Sequence, residues 1–278
     1  MGAQVRVLNA RDLPAIREVL DRDPVAHCFV TSRVTASGMD AWRMGGELWG
    51  WEQRGRLVSL LHAGANLVPV ETTPEARVAF AQRAAQLGRR CSSIVGRRDE
   101  VIDLWSHLAP HWGPPRDTRE RQPLMSIEGA PLVEPDPYVR RVRDDELDLL
   151  LPACIDMFTD EVGVSPVAGG AGSAYRGRIA ELIRSGRAFA RIVDGEVQFK
   201  AEIGASTSSV CQVQGVWVPE SLRGRGLAAP GMAAVVVAAR RDIAPVVSLY
   251  VNDFNTPARA AYRRVGFTEV DEFATIFF

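Results

Sequence analysis

Residues 209–267 constrain this 278-residue chain more than any other stretch. They begin S-V-C-Q-V-Q-G-V-W-V-P-E-S-L-R-G-R-G-L-A-A-P and end V-V-S-L-Y-V-N-D-F-N-T-P-A-R-A-A-Y-R-R-V-G-F. An apolar strand runs into a Gly-Arg turn, and the turn opens a helix. A second strand follows, then a short helix that starts after Asn255 and carries Tyr262. Successive backbone N–H groups at a helix N-terminus form an anion cradle, and glycine allows an approach that a Cβ would block. Arg223 and Arg225 can add charge to bound phosphates. Pro230 falls in the first helical turn, where its missing N–H costs little.

Other readings of this turn compete. A bare R-G-x-G can be a surface turn. Gly224, Gly226 and Ala229 also satisfy G-x-G-x-x-[G/A], the dinucleotide-binding pattern. There the first glycine follows its strand almost at once, whereas here residues 219–223 intervene. A Walker-type loop is excluded, since no G-K-[ST] follows.

Composition narrows the partners. The formal net charge is −1, so no basic field argues for nucleic acid. Lys200 is the sole lysine; Arg supplies the remaining positive side chains. Cys28, Cys91, Cys154 and Cys211 are scattered with no C-x-x-C pair, which suggests buried thiols in a reducing compartment and no metal site. No apolar run approaches the ~20 residues of a membrane span, and the N-terminus has no apolar signal region. The expectation is a cytoplasmic protein with neither membrane nor nucleic-acid partner.

The inventory changes along the chain. All four histidines precede residue 112, and all four tyrosines follow residue 137. A Pro-rich stretch over 114–137 separates the halves. Domains are therefore expected at 1–130 and 138–278, with 131–137 as linker and a short strand near 124–127 closing the first. In the first half, strands are predicted at 5–7, 47–51, 57–68 and 91–95, with helices at 10–20, 74–87 and 99–108. In the second, strands are predicted at 138–142, 188–193 and 197–203, with helices at 143–156 and 174–185. Asp194-Gly195 is a hairpin signal. The shared order suggests a duplicated unit, although α/β domains often share such an order. The first half lacks the Gly-Arg turn: Glu71-Thr72-Thr73-Pro74 stands in its place, where a carboxylate repels phosphate.

Arg223-Gly224-Arg225-Gly226-Leu227-Ala228 resembles the [Q/R]-x-x-G-x-[G/A] signature of the GNAT superfamily of N-acetyltransferases. Val216-Trp217-Val218 is similar to the strand end whose main chain pairs with a pantetheine arm, and Asn255, Tyr262 and Gly266-Phe267 fall where that superfamily has them. The resemblance implies an α/β fold of tandem GNAT-like domains, each a mixed sheet flanked by helices, the first degenerate. It implies acetyl-CoA as cosubstrate, bound by Val216, Trp217, Val218, residues 223–228 and Asn255, with no metal. The acceptor would be a small-molecule or peptide amine.

A lysine-like amine has a pKa of about 10.4 and attacks only when neutral, so a base or a pKa-lowering site is required. Many relatives carry a Glu on the cofactor strand; by its distance from the turn that place is Gln212, which cannot act as a base and is left a substrate-side contact. Asp160, Glu161 and Glu202 remain. Asp160 and Glu161 sit where relatives bind acceptors, or form a solvated loop. Glu202 stands beside Lys200 and reads equally as an ion pair. Tyr262 can protonate a departing thiolate, or can be core packing; a backbone N–H near Val218 is a candidate oxyanion donor. A non-catalytic acyl-CoA sensor, or a transferase of aminoacyl or longer acyl groups, is the rival reading.

Overall fold

The computed structural model describes residues 4–278. These divide into two units. The first comprises residues up to Met125 together with Tyr250–Phe254 and Glu269–Phe278; the second comprises Ser126–Leu249 and Asn255–Thr268. The expected split is 1–130, linker 131–137 and 138–278; here the second unit begins at Ser126 and includes the expected linker, and part of the C-terminal half returns to the first unit. The chain's last strand and a short segment before its last helix fall in the first unit.

In the first unit, β1 (Gln4–Val7), α1 (Leu13–Leu20), α2 (Cys28–Ser37) and α3 (Ala41–Met44) precede three antiparallel strands. These are β2 (Gly46–Gln53), β3 (Arg56–Gly64) and β4 (Asn66–Val70). The strand expected over 57–68 is thus two, folded back at Gly64 and Ala65. Then come α4 (Pro74–Leu87), β5 (Ser93–Arg97), α5 (Arg98–Trp112) and β6 (Asp117–Ile127), which is longer than expected at its start. Alternation sorts the core onto two faces. Leu61 and Trp49 join Phe80, Leu104 and Ile94 under α4 and α5. Leu60 and Leu48, one residue away, join Ile16, Val19 and Leu20 from α1.

The second unit begins with residues 126–138. The expected linker at 131–137 is fixed: Leu132 N–H donates to the Val265 carbonyl at 2.8 Å, and Asp136 N–H to that of Pro230 at 3.0 Å. Asp136 is buried and accepts from Arg191 at 2.6 Å. Its elements are β7 (Val139–Arg141), α6 (Leu147–Val162), α7 (Gly172–Arg184), β8 (Ala188–Val193), β9 (Glu196–Ser206), β10 (Val210–Trp217), α8 (Ala228–Asp242), β11 (Val246–Tyr250) and α9 (Thr256–Val265). The final strand, β12 (Thr268–Phe277), pairs antiparallel with β5 of the first unit, to which nearly all of it belongs. In the second unit β7, β8, β9 and β10 are antiparallel neighbours, and β11 lies parallel to β10. The β8–β9 turn is Asp194-Gly195, both at positive φ (51° and 78°), as a tight hairpin requires. Phe199 of β9 packs beneath α8 at Gly231. Its neighbour Lys200 points to the opposite face, covered by α6.

Candidate functional site

The site grows from one irregular strand. β10 pairs with β11 only over Val210–Gln212 against Val246–Ser248, and then continues to Trp217. Against β9, Gln214 faces Glu202 and Trp217 faces Lys200. Gly215 and Val216 therefore stand opposite the single residue Ala201, which is a β-bulge. Gly215 adopts φ of 60°, a left-handed conformation that suits glycine. The bulge expected near Gln214-Gly215 is present. It frees main-chain groups from the β9 ladder where the β11 partner has ended.

Beyond β10, a short 3-10 turn (Glu220–Leu222) leads to Arg223 and the glycine turn. Gly224 and Gly226 have φ of 77° and 80°, and a Cβ on either would meet nothing within 4 Å. The space above the turn is open and the backbone curls in the left-handed conformation of an anion nest. No side chain caps α8, and its first turn carries no acidic residue. The first N–H groups of a helix have no intrahelical acceptor, so this end is suited to a phosphate. The indole Nε1 of Trp217 is buried and meets no acceptor among the described residues. The Trp51 and Trp112 indoles of the first unit are in the same position, so this donor by itself does not mark a site. Nest and uncapped helix both fit a phosphorylated ligand lying along β10.

Arg223 does not reach over the turn. Its Nε donates to the Val218 carbonyl at 3.1 Å and its Nη2 to Asp160 at 2.8 Å. Both side chains are about half exposed, so the pair contributes little to stability. It does tie the end of α6 to the turn, and it occupies the carboxylate of Asp160 that sequence reasoning assigned to a substrate. Glu161, the next residue, is exposed. Its charge adds a small upward push to the Tyr262 hydroxyl, behind that of burial.

Glu202 is buried in an ion pair with Lys200, at 2.6 Å. Burial alone would raise its pKa, but the charge and hydrogen bond of Lys200 outweigh this and leave the carboxyl below its ordinary range. Held ionised and out of solvent, it is a poor base for an external amine. Gln212 is likewise buried within β10, opposite Ser248. Around Glu202 lies a cluster that sequence reasoning missed. The Cys154 thiol sits 3.5 Å from Glu202, Gln214 Nε2 approaches it at 3.4 Å, and the Tyr175 hydroxyl donates to the Cys154 carbonyl at 2.9 Å. Burial pushes the Cys154 thiol up to about 12, so it is inert as a nucleophile. Lys200 and Glu202 at i and i+2 signal one face of a strand, but nothing in the sequence places α6 above them.

Asn255 is the N-cap of α9: its side-chain oxygen accepts from Ala258 N–H at 3.2 Å. Its amide NH₂ is left as the end that can donate to a ligand. Tyr262 is buried, 6.0 Å ring to ring from Phe267. Burial, with a smaller contribution from Glu161, raises its hydroxyl above the usual phenol range. It therefore stays protonated at neutral pH, with its O–H able to donate a hydrogen bond, and is a weaker acid than an exposed phenol. Among the described residues no cluster of metal-ligating side chains occurs, and no helix is long and apolar enough to cross a membrane.

Residues 157–267 match the acetyltransferase (GNAT) family, and residues 46–150 match a domain of unknown function, DUF4081. No curated protein matches the chain in sequence. Among solved structures, the chain is similar to a GNAT-family acetyltransferase from Colwellia psychrerythraea, at 13% identity over 99% of both chains with a TM-score of 0.58. It is similar to a tandem GNAT protein from the clavulanic acid biosynthesis pathway, at 14% identity over 99% of this chain and 98% of that one, TM-score 0.57. A GCN5-related N-acetyltransferase from Sphaerobacter thermophilus matches at 16% identity over 98% and 94%, TM-score 0.63. At these identities the likeness is one of fold, and the fold is the mixed-sheet tandem GNAT arrangement.

Proposed function

Because residues 157–267 form a GNAT-family acetyltransferase domain, we propose that the second unit transfers an acetyl group from acetyl-CoA to a primary amine, by direct attack within a ternary complex. The observation that carries this reading is the joint between β10 and α8: a bulged strand, a glycine nest and an uncapped helix end in sequence. Residues 223–228 would hold the phosphates through their N–H groups, with Arg225 adding charge. Val216, Trp217 and Val218 would pair with the extended arm, and Asn255 would donate its amide to it. When bound, acetyl-CoA supplies the thioester carbonyl that the amine attacks and the thiol that leaves.

Three carboxylates compete for the acceptor's proton. Asp160 is tied to Arg223, and Glu202 is buried beside Lys200. Glu161 is exposed, which leaves it as the base and as the acceptor's cationic contact once those two are set aside. Tyr262, kept protonated by burial, would give its proton to the leaving sulfur, and the proton that Glu161 takes from the amine would restore the phenol, directly or through water. Backbone N–H groups near Val218 stabilise the carbonyl oxygen as charge develops.

The test is acetyl-CoA turnover by the intact protein against amine classes: polyamine antibiotics, free amino acids, peptide N-termini and lysine peptides. Turnover of one class, with free CoA and acetylated amine in equal amounts, is the expected result. Tyr262→Phe should lower kcat by about 10²–10⁴ with CoA affinity kept. Tight acetyl-CoA binding without turnover of any amine would favour a sensor, a reading to which the buried amide of Gln212 lends some support.

A further inference from the structure

We propose that the buried Lys200–Glu202 ion pair is the template of the β10 bulge, and that both residues are positioning residues for the acyl group; this rests on the acetyl-CoA reading above. The pair brackets the bulge. Glu202 is the cross-strand partner of Gln214 and Lys200 that of Trp217, the two positions between which register is lost. Their side chains fill the volume that a residue at 215 would take. A Cβ built on Gly215 would lie 3.0 Å from Met157 Cε, 3.1 Å from Lys200 Nζ and 3.3 Å from the Glu202 carboxyl carbon. The flanking Gln214 is turned under the same pair. Its amide approaches Glu202 at 3.4 Å and covers the space beside Gly204, where any Cβ would collide with it.

The pair is placed too deep to act on substrate itself. Lys200 and Glu202 are 1% and 4% exposed, and one Glu202 oxygen lies 2.6 Å from Lys200 and 3.5 Å from the Cys154 thiol. Two buried charges are a costly way to fill a protein interior. Apolar residues of the same volume often do as well or better for stability, so specificity of local conformation is what such a pair can add. Here the conformation at stake is a two-for-one bulge with a left-handed glycine. It turns the Gly215–Val216 main chain out of the β9 ladder and toward the gap beyond Gln212. A displacement of about 1 Å in a group that meets the reacting atoms can cost about 10²-fold in rate.

The experiment uses the intact protein with Lys200→Met and Glu202→Met together, which removes both charges and keeps the volume. Three quantities are read: CoA affinity by calorimetry, the carbonyl stretch of bound acetyl-CoA labelled with ¹³C at the thioester, and kcat. In the unsubstituted protein the bound band should lie below its position in water, as donated hydrogen bonds require. In the double variant CoA affinity should stay within about threefold, the band should move back toward its free position, and kcat should fall about 100-fold. A merely structural pair would change stability and leave the band in place. Gly215→Ala keeps the pair, adds one methyl against it and forces a side chain into φ of 60°, so it disturbs the same bulge from the strand side. It should shift the band the same way with about a tenfold loss in kcat, and it carries the test if the double variant does not fold. An unchanged band and a kcat within twofold in whichever variant folds would overturn the inference while leaving the acetyl-CoA reading intact. Failure of the unsubstituted protein to bind acetyl-CoA would overturn both.

Discussion

The two units meet the same design problem at one joint and solve it in opposite ways. In the first, β4 ends at Val70 and α4 starts at Pro74, so only Glu71, Thr72 and Thr73 link them. Every polar group there turns inward. Thr73 caps α4 by accepting from Ala76 N–H at 3.2 Å, Thr72 donates to Glu100 at 2.9 Å, and Ser59 donates to the Glu71 carbonyl at 2.8 Å. Arg97 grips Glu71 at 2.6 Å together with Asp271 and Asp23. In the second unit, residues 218–227 separate β10 from α8, with two left-handed glycines, open space above them and no side-chain cap. A helix end with its donors satisfied and a carboxylate beside it has no use for phosphate; an uncapped one does. The first joint is filled by its own side chains and remains fully folded.

Elsewhere the units agree closely. Arg6 grips Asp12 with two hydrogen bonds of 2.9 and 2.7 Å, and Asp12 also accepts from Asn9 N–H at 2.8 Å. Arg140 grips Glu146 with two bonds of 2.7 Å, and Glu146 accepts from Arg143 N–H at 2.9 Å. The offsets are the same in both: Arg at i, the donating N–H at i+3, the carboxylate at i+6. A shared strand-to-helix lock of this detail supports a duplicated unit whose copies differ at the strand-to-helix joint described above.

The contrast between joints can be broken most directly at Gly226. Gly226→Glu places a side chain at φ of 80° and a carboxylate against the nest, and should weaken CoA binding at least a hundredfold, while the strained φ lowers the melting temperature by only about 2–8 °C and leaves the fold intact. Calorimetry and thermal unfolding check this; near-normal affinity would mean the phosphates sit elsewhere. Arg97→Ala is the counterpart in the first unit. It leaves Asp23, Glu71 and Asp271 without their common partner and should cost about 2 kcal/mol, reduced from the fully buried case by partial exposure, with CoA affinity untouched.

The shared locks predict acid sensitivity. The hydrogen bonds from Arg140 hold Glu146 at about 2 against an ordinary 4.5, and Arg6 holds Asp12 below its usual range. A depressed carboxylate stabilises the fold fully above the unfolded pKa and loses that contribution as pH falls toward the folded one. Urea midpoints should therefore drop between about pH 5 and pH 2, and Glu146→Gln should flatten this limb. A slope unaltered by the substitution would remove the lock from the account. The smallest effect is expected at Thr73→Ala, about 1 kcal/mol for a lost N-cap, with no gain of CoA binding at α4.

Features written in local chemistry were legible in the sequence. The glycine turn, the Asp194-Gly195 hairpin, the Thr73 and Asn255 helix starts and the bulge beside Gly215 each depend on the conformational limits of a few adjacent residues. What escaped depends on distant partners. Cys28–Ser37 is rich in β-branched residues and is helical because Val30 and Val34 are buried against α1 and the sheet. The break of residues 57–68 into β3 and β4 and the return of β12 to β5 are matters of pairing across the chain. Asp160 read as an acceptor contact because Arg223, its partner, is remote in sequence. Glu202 was readable as an ion pair, but Gln214 and Cys154 around it were not.

The central claim is that one joint of the two takes acetyl-CoA. Hydrogen–deuterium exchange on the intact protein, with and without saturating acetyl-CoA, reads both joints in one sample. Protection should rise over residues 215–218 and 223–229 and stay unchanged over residues 66–76. Ligand-dependent protection at residues 71–76, or none at residues 223–229, would contradict it.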